Sequence, residues 1–174
     1  MEVPDREECL RILREENTPE DVVKHILAVT SLAQEIARCC GADMDLVLAG
    51  AMLHDIGRGV SHGIDHAVIG AGILRRRGLP EAVVRIVERH IGCGITAEEA
   101  VRLGLPARDY MPTTLEEKVV AHADNLIADT RRQTLEELLG KLRKKGLEEQ
   151  ARRCEALHRE LSSLCGFDLD DLCR

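Results

Sequence analysis

Apolar residues recur at helical spacing along most of the chain. After Pro19, the apolar positions Val22, Val29, Leu32 and Ile36 fall on one face of a helix, and His25 lies on the same stripe. Alternating apolar and polar residues over a useful length, the pattern of a half-buried strand, occur nowhere. The sequence therefore predicts an all-α fold.

Capping residues and glycines divide this pattern into helices. Thr18 is expected to cap the helix that opens at Pro19, and Thr114 with Glu117 has the spacing of a capping box. The predicted helices are 5–16, 19–40, 43–57, 65–77, 80–90, 96–104, 114–130, 134–145 and 147–165. The segment from Leu46 to Leu53 is almost entirely apolar, so we expect the third helix to be buried.

Composition narrows the range of functions. Tyr110 and Phe167 are the two aromatic residues among 174, so the core is expected to be aliphatic. The net charge of −7 argues against general nucleic-acid binding, which depends on a basic surface. Because no apolar run approaches the roughly 20 residues of a membrane span and the N-terminus does not resemble a signal peptide, we expect a cytoplasmic protein without membrane contact.

The seven cysteines form no Cys-x-x-Cys pair, and their number is odd. Neither a zinc ribbon nor a complete disulfide framework is therefore indicated, and buried free thiols are the expected state. Cys93 is of interest because it lies just after His90.

Several polar residues fall on apolar helix faces. A single buried His or Asp is usually a hydrogen-bonded structural residue, but each uncompensated burial costs about 1–3 kcal/mol. One shared cation would compensate several of them together. Imidazole and carboxylate donors suit one or two divalent ions from the set Mn, Fe, Co, Ni, Zn and Mg. The residues in question are His25, His54, Asp55, His90 and Asp124.

The order of these residues resembles a known family. His25, then His54-Asp55-Ile56-Gly57, then Asp124 within Ala121–Asn125, resembles the His-Asp-Ile-Gly branch of the HD superfamily of metal-dependent phosphohydrolases. The resemblance covers about residues 19–131. It implies an HD-type helical bundle in a single domain, 1–174, whose C-terminal helices span about 132–174.

The resemblance also implies roles for individual residues. One metal would be held by His25, His54, Asp55 and Asp124, and Asp55 would bridge to a second held by His66 and His90. His66 opens a His-x-x-x-Gly segment similar to that of the family.

Two loop residues have alternative interpretations. His62 lies four residues before His66 and is an alternative ligand, a substrate contact or a solvated loop residue. Arg58 is suited to contact a phosphate, since guanidinium groups bind phosphate in a bidentate way. Asp55 and Arg58 are our candidate catalytic residues. The alternative interpretation of Arg58 is a solvated loop arginine.

Two divalent ions with two carboxylates would leave a positive site for a phosphate. The chemistry implied is attack of a metal-bound hydroxide on phosphorus. We expect a small phosphorylated substrate, nucleotide or nucleotide-like; within the family such substrates include nucleoside monophosphates, dinucleoside polyphosphates and cyclic dinucleotides. Two alternatives remain open, a metal-containing regulatory protein that binds a nucleotide or partner with little turnover, and a helical scaffold without metal. A homodimer through an apolar helix face would be an ordinary outcome.

Overall fold

The computed structural model describes residues 2–174, and within this range the predicted all-α fold is confirmed. A short 3-10 turn, Ile56–Gly59, follows the third helix, and another, Leu169–Leu172, lies near the C-terminus. The nine α-helices of the described range are α1 (Arg6–Glu15), α2 (Glu20–Cys40), α3 (Met44–Leu53), α4 (His66–Arg76), α5 (Glu81–Glu88), α6 (Ala97–Arg102), α7 (Leu115–Asn125), α8 (Leu135–Lys144) and α9 (Glu148–Cys165).

Side-chain caps fix many of the helix starts. The Asp43 carboxylate accepts hydrogen bonds from the first backbone N–H groups of α3, which pins the helix that leads to His54. The capping box expected at Thr114 and Glu117 is present at the start of α7. Gly41 ends α2 in the left-handed conformation, with φ +75°.

Several element boundaries differ from expectation; the fifth helix, for example, ends at Glu88, before His90. Pro19 is extended and lies outside α2, so Thr18 does not cap the helix and its buried hydroxyl has no hydrogen-bond partner. The third helix ends at Leu53, before the His-Asp pair, and the chain continues as the 3-10 turn. The seventh ends at Asn125, not near Thr130, because the chain reverses there.

That reversal is a small hairpin. Strand β1 (Ile127–Ala128) pairs antiparallel with β2 (Arg131–Arg132), with Ile127 opposite Arg132. Asp129 makes the turn at φ +57°, a left-handed conformation that Asp tolerates better than most residues. Strands of two residues are too short for sequence alternation to reveal.

Two clusters of buried, mainly aliphatic residues each include residues of α2 and α3. One lies among α2, α3, α7 and α9 and includes Leu32 and Leu161. The other lies among α1 to α5 and includes Ile26 and Leu74. The candidate ligands come from α2 and the end of α3, which contribute to both clusters, and from α4, α7 and the segment after α5. No helix within residues 2–174 is long and apolar enough to cross a membrane.

The expectation of free thiols is wrong for two cysteines. Cys93 and Cys154 form a disulfide across 61 residues of sequence. Local spacing carries no signal for this pair, because it forms where the loop after α5 packs against α9. Cys9, Cys39, Cys40, Cys165 and Cys173 are free.

Candidate metal centre

The fold brings together six candidate ligands from five parts of the chain. His25 comes from α2, His54 and Asp55 from the end of α3, and His66 from the first residue of α4. His90 lies just beyond α5, and Asp124 lies in the last turn of α7. Their ligand atoms form three groups in which all atoms lie within 4.8 Å of one another: His25, His54 and Asp55; His54, His90 and Asp124; and Asp55, His66 and His90.

Backbone carbonyls orient all four imidazole rings. A carbonyl oxygen can only accept, so Nδ1 of each ring donates, and the neutral ring keeps a lone pair on Nε2. Three rings bond to the carbonyl three residues earlier, and the fourth bonds to the turn of the hairpin. The pairs are His54 with Ala51 (2.7 Å), His66 with Gly63 (2.8 Å), His90 with Val87 (2.7 Å) and His25 with Asp129 (2.6 Å).

Asp55 lies between two sets of these rings. Its Oδ1 is 3.1 Å from Nε2 of His66 and 3.4 Å from Nε2 of His90. Its Oδ2 is 3.6 Å from Nε2 of His54 and 3.8 Å from Nε2 of His25. Asp55 therefore presents one oxygen to each pair of histidines, which is the arrangement of a bridging carboxylate.

Asp124 makes its nearest contacts to His25 and His54. Its Oδ1 lies 2.9 Å from Nε2 of His25 and 3.5 Å from Nε2 of His54. One side of the cluster thus offers two imidazoles and two carboxylates. The other side offers His66, His90 and the second oxygen of Asp55.

The buried donors fit divalent ions. Nε2 of His66 and Nε2 of His90 are 3.1 Å apart, although both rings already donate through Nδ1. Nε2 of His54 and Oδ1 of Asp55 are buried without a properly aligned hydrogen-bond partner. Unpaired buried acceptors are costly, and a cation between them removes the cost.

The electrostatics favour positive charge at Nε2 of His54. Burial opposes ionisation of Asp55, yet the His54 charge and the contacts to His66 and His90 outweigh it and hold the Asp55 pKa well below its usual range. Burial likewise lowers the pKa of His54, but Asp55 and Asp124 overcome this and raise it to about 9. Ionised carboxylates that stabilise a proton on imidazole equally stabilise a metal ion there.

Two cavities meet at this cluster. A larger cavity of about 500 Å³ is bordered by α2 and the hairpin turn, and a smaller cavity of about 270 Å³ by the loops after the 3-10 turn and after α5. Arg58 and His62 line both cavities. The Arg58 side chain is 31% exposed, and its Nε lies 3.0 Å from Oδ2 of Asp55.

The two alternative histidines are placed differently. His66 is buried, with its Nε2 next to Asp55. His62 is exposed at the mouth of the cavities and belongs to none of the groups of possible ligands. The structure therefore brings His66, and not His62, into the cluster of possible metal ligands.

Sequence reasoning missed two supporting residues. Asp129 orients His25 through its carbonyl, and Asn125 donates to the Gly92 carbonyl at 2.9 Å and to Cys93 Sγ at 3.0 Å. Only the position of Asn125, directly after Asp124, could have drawn attention to it. The contacts themselves are long-range.

The chain is similar to known proteins that carry different names. The family model of the HD domain matches residues 22–129. Over 98% of this chain, the sequence is 50% identical to the tRNA (cytidine(56)-2'-O)-methyltransferase of Picrophilus torridus, of which it covers 50%. It is 52% identical to an uncharacterized protein of Methanocaldococcus jannaschii, over 72% of this chain and 78% of that protein.

The chain spans about half the length of the Picrophilus torridus methyltransferase and of the methyltransferase of the same name from Thermoplasma volcanium, to which it is 49% identical. The name methyltransferase describes the whole of each relative, and about half of each relative has no counterpart in this chain. The structure is similar to that of the HD domain of the L. monocytogenes phosphodiesterase PgpH, with a TM-score of 0.60 over 92% of this chain and 96% of that one, at 19% identity. That domain has also been solved in complex with cyclic-di-AMP. At this level of identity the likeness establishes the fold.

Proposed function

The chain belongs to the HD-domain family, and from this premise we propose that it is a metal-dependent phosphohydrolase acting on a phosphate ester or anhydride of a nucleotide or nucleotide-like small molecule. The observation that carries the proposal is the position of Asp55, which faces two pairs of histidines with its two oxygens. A phosphodiesterase of the same fold, solved with a cyclic dinucleotide, supports the substrate class.

In this proposal the six clustered residues hold two divalent ions. His25, His54, Asp55 and Asp124 hold one ion, and Asp55, His66 and His90 hold the other. When bound, the ions supply the charge that acidifies a water molecule and stabilises the attacking and leaving oxygens on phosphorus. Two ions contribute +4 and two carboxylates −2, so the site keeps a charge of about +2 for an anionic phosphate.

Arg58 and His62 are the proposed substrate contacts. The Nε of Arg58 is engaged by Asp55, and one Nη lies 3.4 Å from the carbonyl of His62, so the remaining guanidinium edge can face a phosphate oxygen. Asp55 thereby positions the arginine as well as the ions. We infer that this contact orients the phosphate over the bridging carboxylate.

A second candidate function is that of a metal-containing binding module with little turnover. It is favoured by the two methyltransferases, in which a similar sequence spans about half of a longer protein that is named for a different activity. In that case the cluster would bind a nucleotide or stabilise a partner-binding surface without hydrolysis.

Assays of purified protein loaded with Mn²⁺, Ni²⁺, Co²⁺ or Fe²⁺ separate the two functions. We expect turnover of phosphoesters that falls to background in His54→Ala and in Asp55→Ala, because each variant removes a donor shared by the cluster. Asp171→Asn, at an exposed position far from the ligands along the chain, is the matched control, and circular dichroism checks folding. Bound metal without turnover on a broad panel would instead favour the binding module.

A further inference from the structure

A further cluster of possible metal ligands lies near the C-terminus and shares no residue with the candidate metal centre. His158 comes from α9, Asp168 precedes the 3-10 turn Leu169–Leu172, and Asp170 lies within that turn. One ligand atom from each of the three lies within 4.8 Å of the other two. Nε2 of His158 is 2.9 Å from Oδ1 of Asp168 and 3.7 Å from Oδ1 of Asp170. One imidazole and two carboxylates therefore converge at this place.

The imidazole ring of His158 is held in place by a second buried ring. The His158 side chain is 4% exposed, and its Nδ1 lies 2.9 Å from Nε2 of His122 on α7. A metal-binding histidine usually donates the N–H of its other nitrogen to such a partner, which fixes the ring and directs the ligating nitrogen at the ion. Nε2 of His122 can accept that hydrogen bond, so Nε2 of His158 is free to act as a ligand beside the two carboxylates.

The two carboxylates of this cluster lack a permanently charged partner. Among the salt bridges of residues 2–174, neither Asp168 nor Asp170 is paired with a Lys or an Arg, and His158 is the partner of both. The Asp170 side chain is only 15% exposed. The Asp168 carboxylate accepts the backbone N–H of Asp170, and the Asp170 carboxylate accepts that of Leu135, so both are oriented but not neutralised. A divalent ion would compensate the two negative charges together.

We propose that His158, Asp168 and Asp170 form a further metal site, which takes a divalent ion such as Zn²⁺ or Co²⁺ and completes its coordination with water. The ion joins α9 to the C-terminal turn, and the contact of Asp170 with Leu135 extends the connection to the start of α8. The site is structural and does not depend on the proposed function. Mn²⁺ stands lowest in the affinity order of such ions, so a site with three protein ligands is expected to take up little Mn²⁺ at concentrations that fill the six-ligand centre.

Binding of Co²⁺ to the double variant Asp168→Asn with Asp170→Asn tests the site. Asn keeps the side-chain oxygen that accepts the backbone N–H groups and removes both charges, so the fold is expected to persist, which circular dichroism checks. We expect equilibrium dialysis to show one equivalent of Co²⁺ fewer in this variant than in the unmodified protein. Asp171→Asn is the matched control, because it removes a neighbouring exposed carboxylate that pairs with Arg174, and it is expected to lose no Co²⁺.

The same measurement in a His66→Ala background separates this site from the candidate metal centre. Because the two sites share no ligand, the double variant is again expected to bind one equivalent fewer than its parent, whatever the centre itself binds. Equal Co²⁺ binding by the double variant and its parent would mean that the two aspartates serve only as caps, and it overturns the proposal. An equal loss in Asp171→Asn also overturns it, since surface carboxylates would then account for the bound ions. Neither result bears on the phosphohydrolase proposal, which turnover tests.

Nitrogen NMR of the histidine rings gives a readout that does not depend on stoichiometry. Without an ion, Nε2 of His158 is expected to carry the proton that it donates to Asp168. With Zn²⁺ bound, Nε2 is a ligand, so the ring proton must lie on Nδ1, towards His122. We therefore expect Zn²⁺ to change the tautomer of His158 in the unmodified protein and to leave it unchanged in the double variant. An unchanged tautomer in the unmodified protein saturated with Zn²⁺ would overturn the proposal.

Discussion

At the scale of single residues, the centre depends on imidazole rings that are fixed before any ion binds. His54, His66 and His90 each bond through Nδ1 to the carbonyl three residues earlier in the chain. The same local contact thus sets the ring orientation three times, on three different segments. Fixed rings lose little rotamer freedom on binding a metal, which favours affinity.

Metal stoichiometry tests the assignment of ligands at this scale. We expect two equivalents of divalent metal per chain, and we expect His66→Ala and His90→Ala each to retain about one, because both residues face the same oxygen of Asp55. The matched control is His62→Ala, which removes a nearby exposed imidazole and should retain both ions. Elemental analysis of protein dialysed against Mn²⁺ measures this; loss of an ion in His62→Ala, or retention of both ions in His66→Ala, would contradict the assignment.

At the scale of elements, the close approach of the 3-10 turn to α4 brings Asp55 and His66 together. Gly57 makes this approach possible, because a Cβ there would lie 1.9 Å from the carbonyl oxygen of His66 and 2.8 Å from the Gly70 nitrogen. Both neighbours are backbone atoms of one helix, so they cannot move separately from it. The absence of a side chain at Gly57 therefore permits this close packing, which in turn helps to set the distance between Asp55 and His66.

Gly57→Ala is expected to lower the free energy of unfolding by at least about 2 kcal/mol and to reduce metal binding, because α4 must shift to admit the methyl group. Gly140→Ala is the matched control: it lies inside α8 with nothing within 4 Å of the added Cβ. That change should stabilise the protein by about 0.5–1 kcal/mol through helix propensity. Denaturant unfolding measures both variants, and equal effects would contradict the steric explanation.

At the scale of the whole molecule, α9 contacts the segment after α5 that borders the smaller cavity. The Cys93–Cys154 disulfide joins the two, and Arg153 donates to the Gly94 carbonyl at 3.1 Å. Arg153 also forms a two-pronged ion pair with Glu99, with contacts of 2.7 and 2.8 Å. The C-terminal region therefore supports the site although it supplies none of the six candidate ligands.

The ion pair between Arg153 and Glu99 contributes to the free energy of unfolding in a pH-dependent way. Hydrogen bonding to Arg153 lowers the pKa of Glu99 to about 2. A carboxylate with a lowered folded-state pKa stabilises the fold fully above its unfolded value, near 4.5, and the contribution disappears as the pH falls towards about 2. The unfolding free-energy difference between the unmodified protein and Glu99→Gln should therefore be constant above pH 5 and shrink below it.

Glu98→Gln is the matched control for this titration. Glu98 is 85% exposed and pairs with Arg102 within α6, so its removal should cost less than about 0.5 kcal/mol at any pH. Denaturant titrations over the same pH range measure all three proteins. A Glu99→Gln difference that persists undiminished near pH 2 would contradict the assignment to the ionised pair.

The sequence alone was sufficient for features set by local physics. Apolar spacing predicted the helices, Thr114 with Glu117 predicted a capping box that the structure contains, and the order of His25, His54-Asp55 and Asp124 pointed to the family. Burial of several polar residues on apolar faces also suggested a shared cation, since unpaired buried donors are costly in any fold.

Only the tertiary structure decided how distant segments meet. It turned the two oxygens of Asp55 towards different pairs of rings, placed the Asp129 carbonyl behind His25, and joined Cys93 to Cys154. It also formed two cavities that share Arg58 and His62 in their linings. None of these follows from local spacing, because contacts between segments depend on the packing of whole helices, whereas periodicity and caps report only on neighbours along the chain.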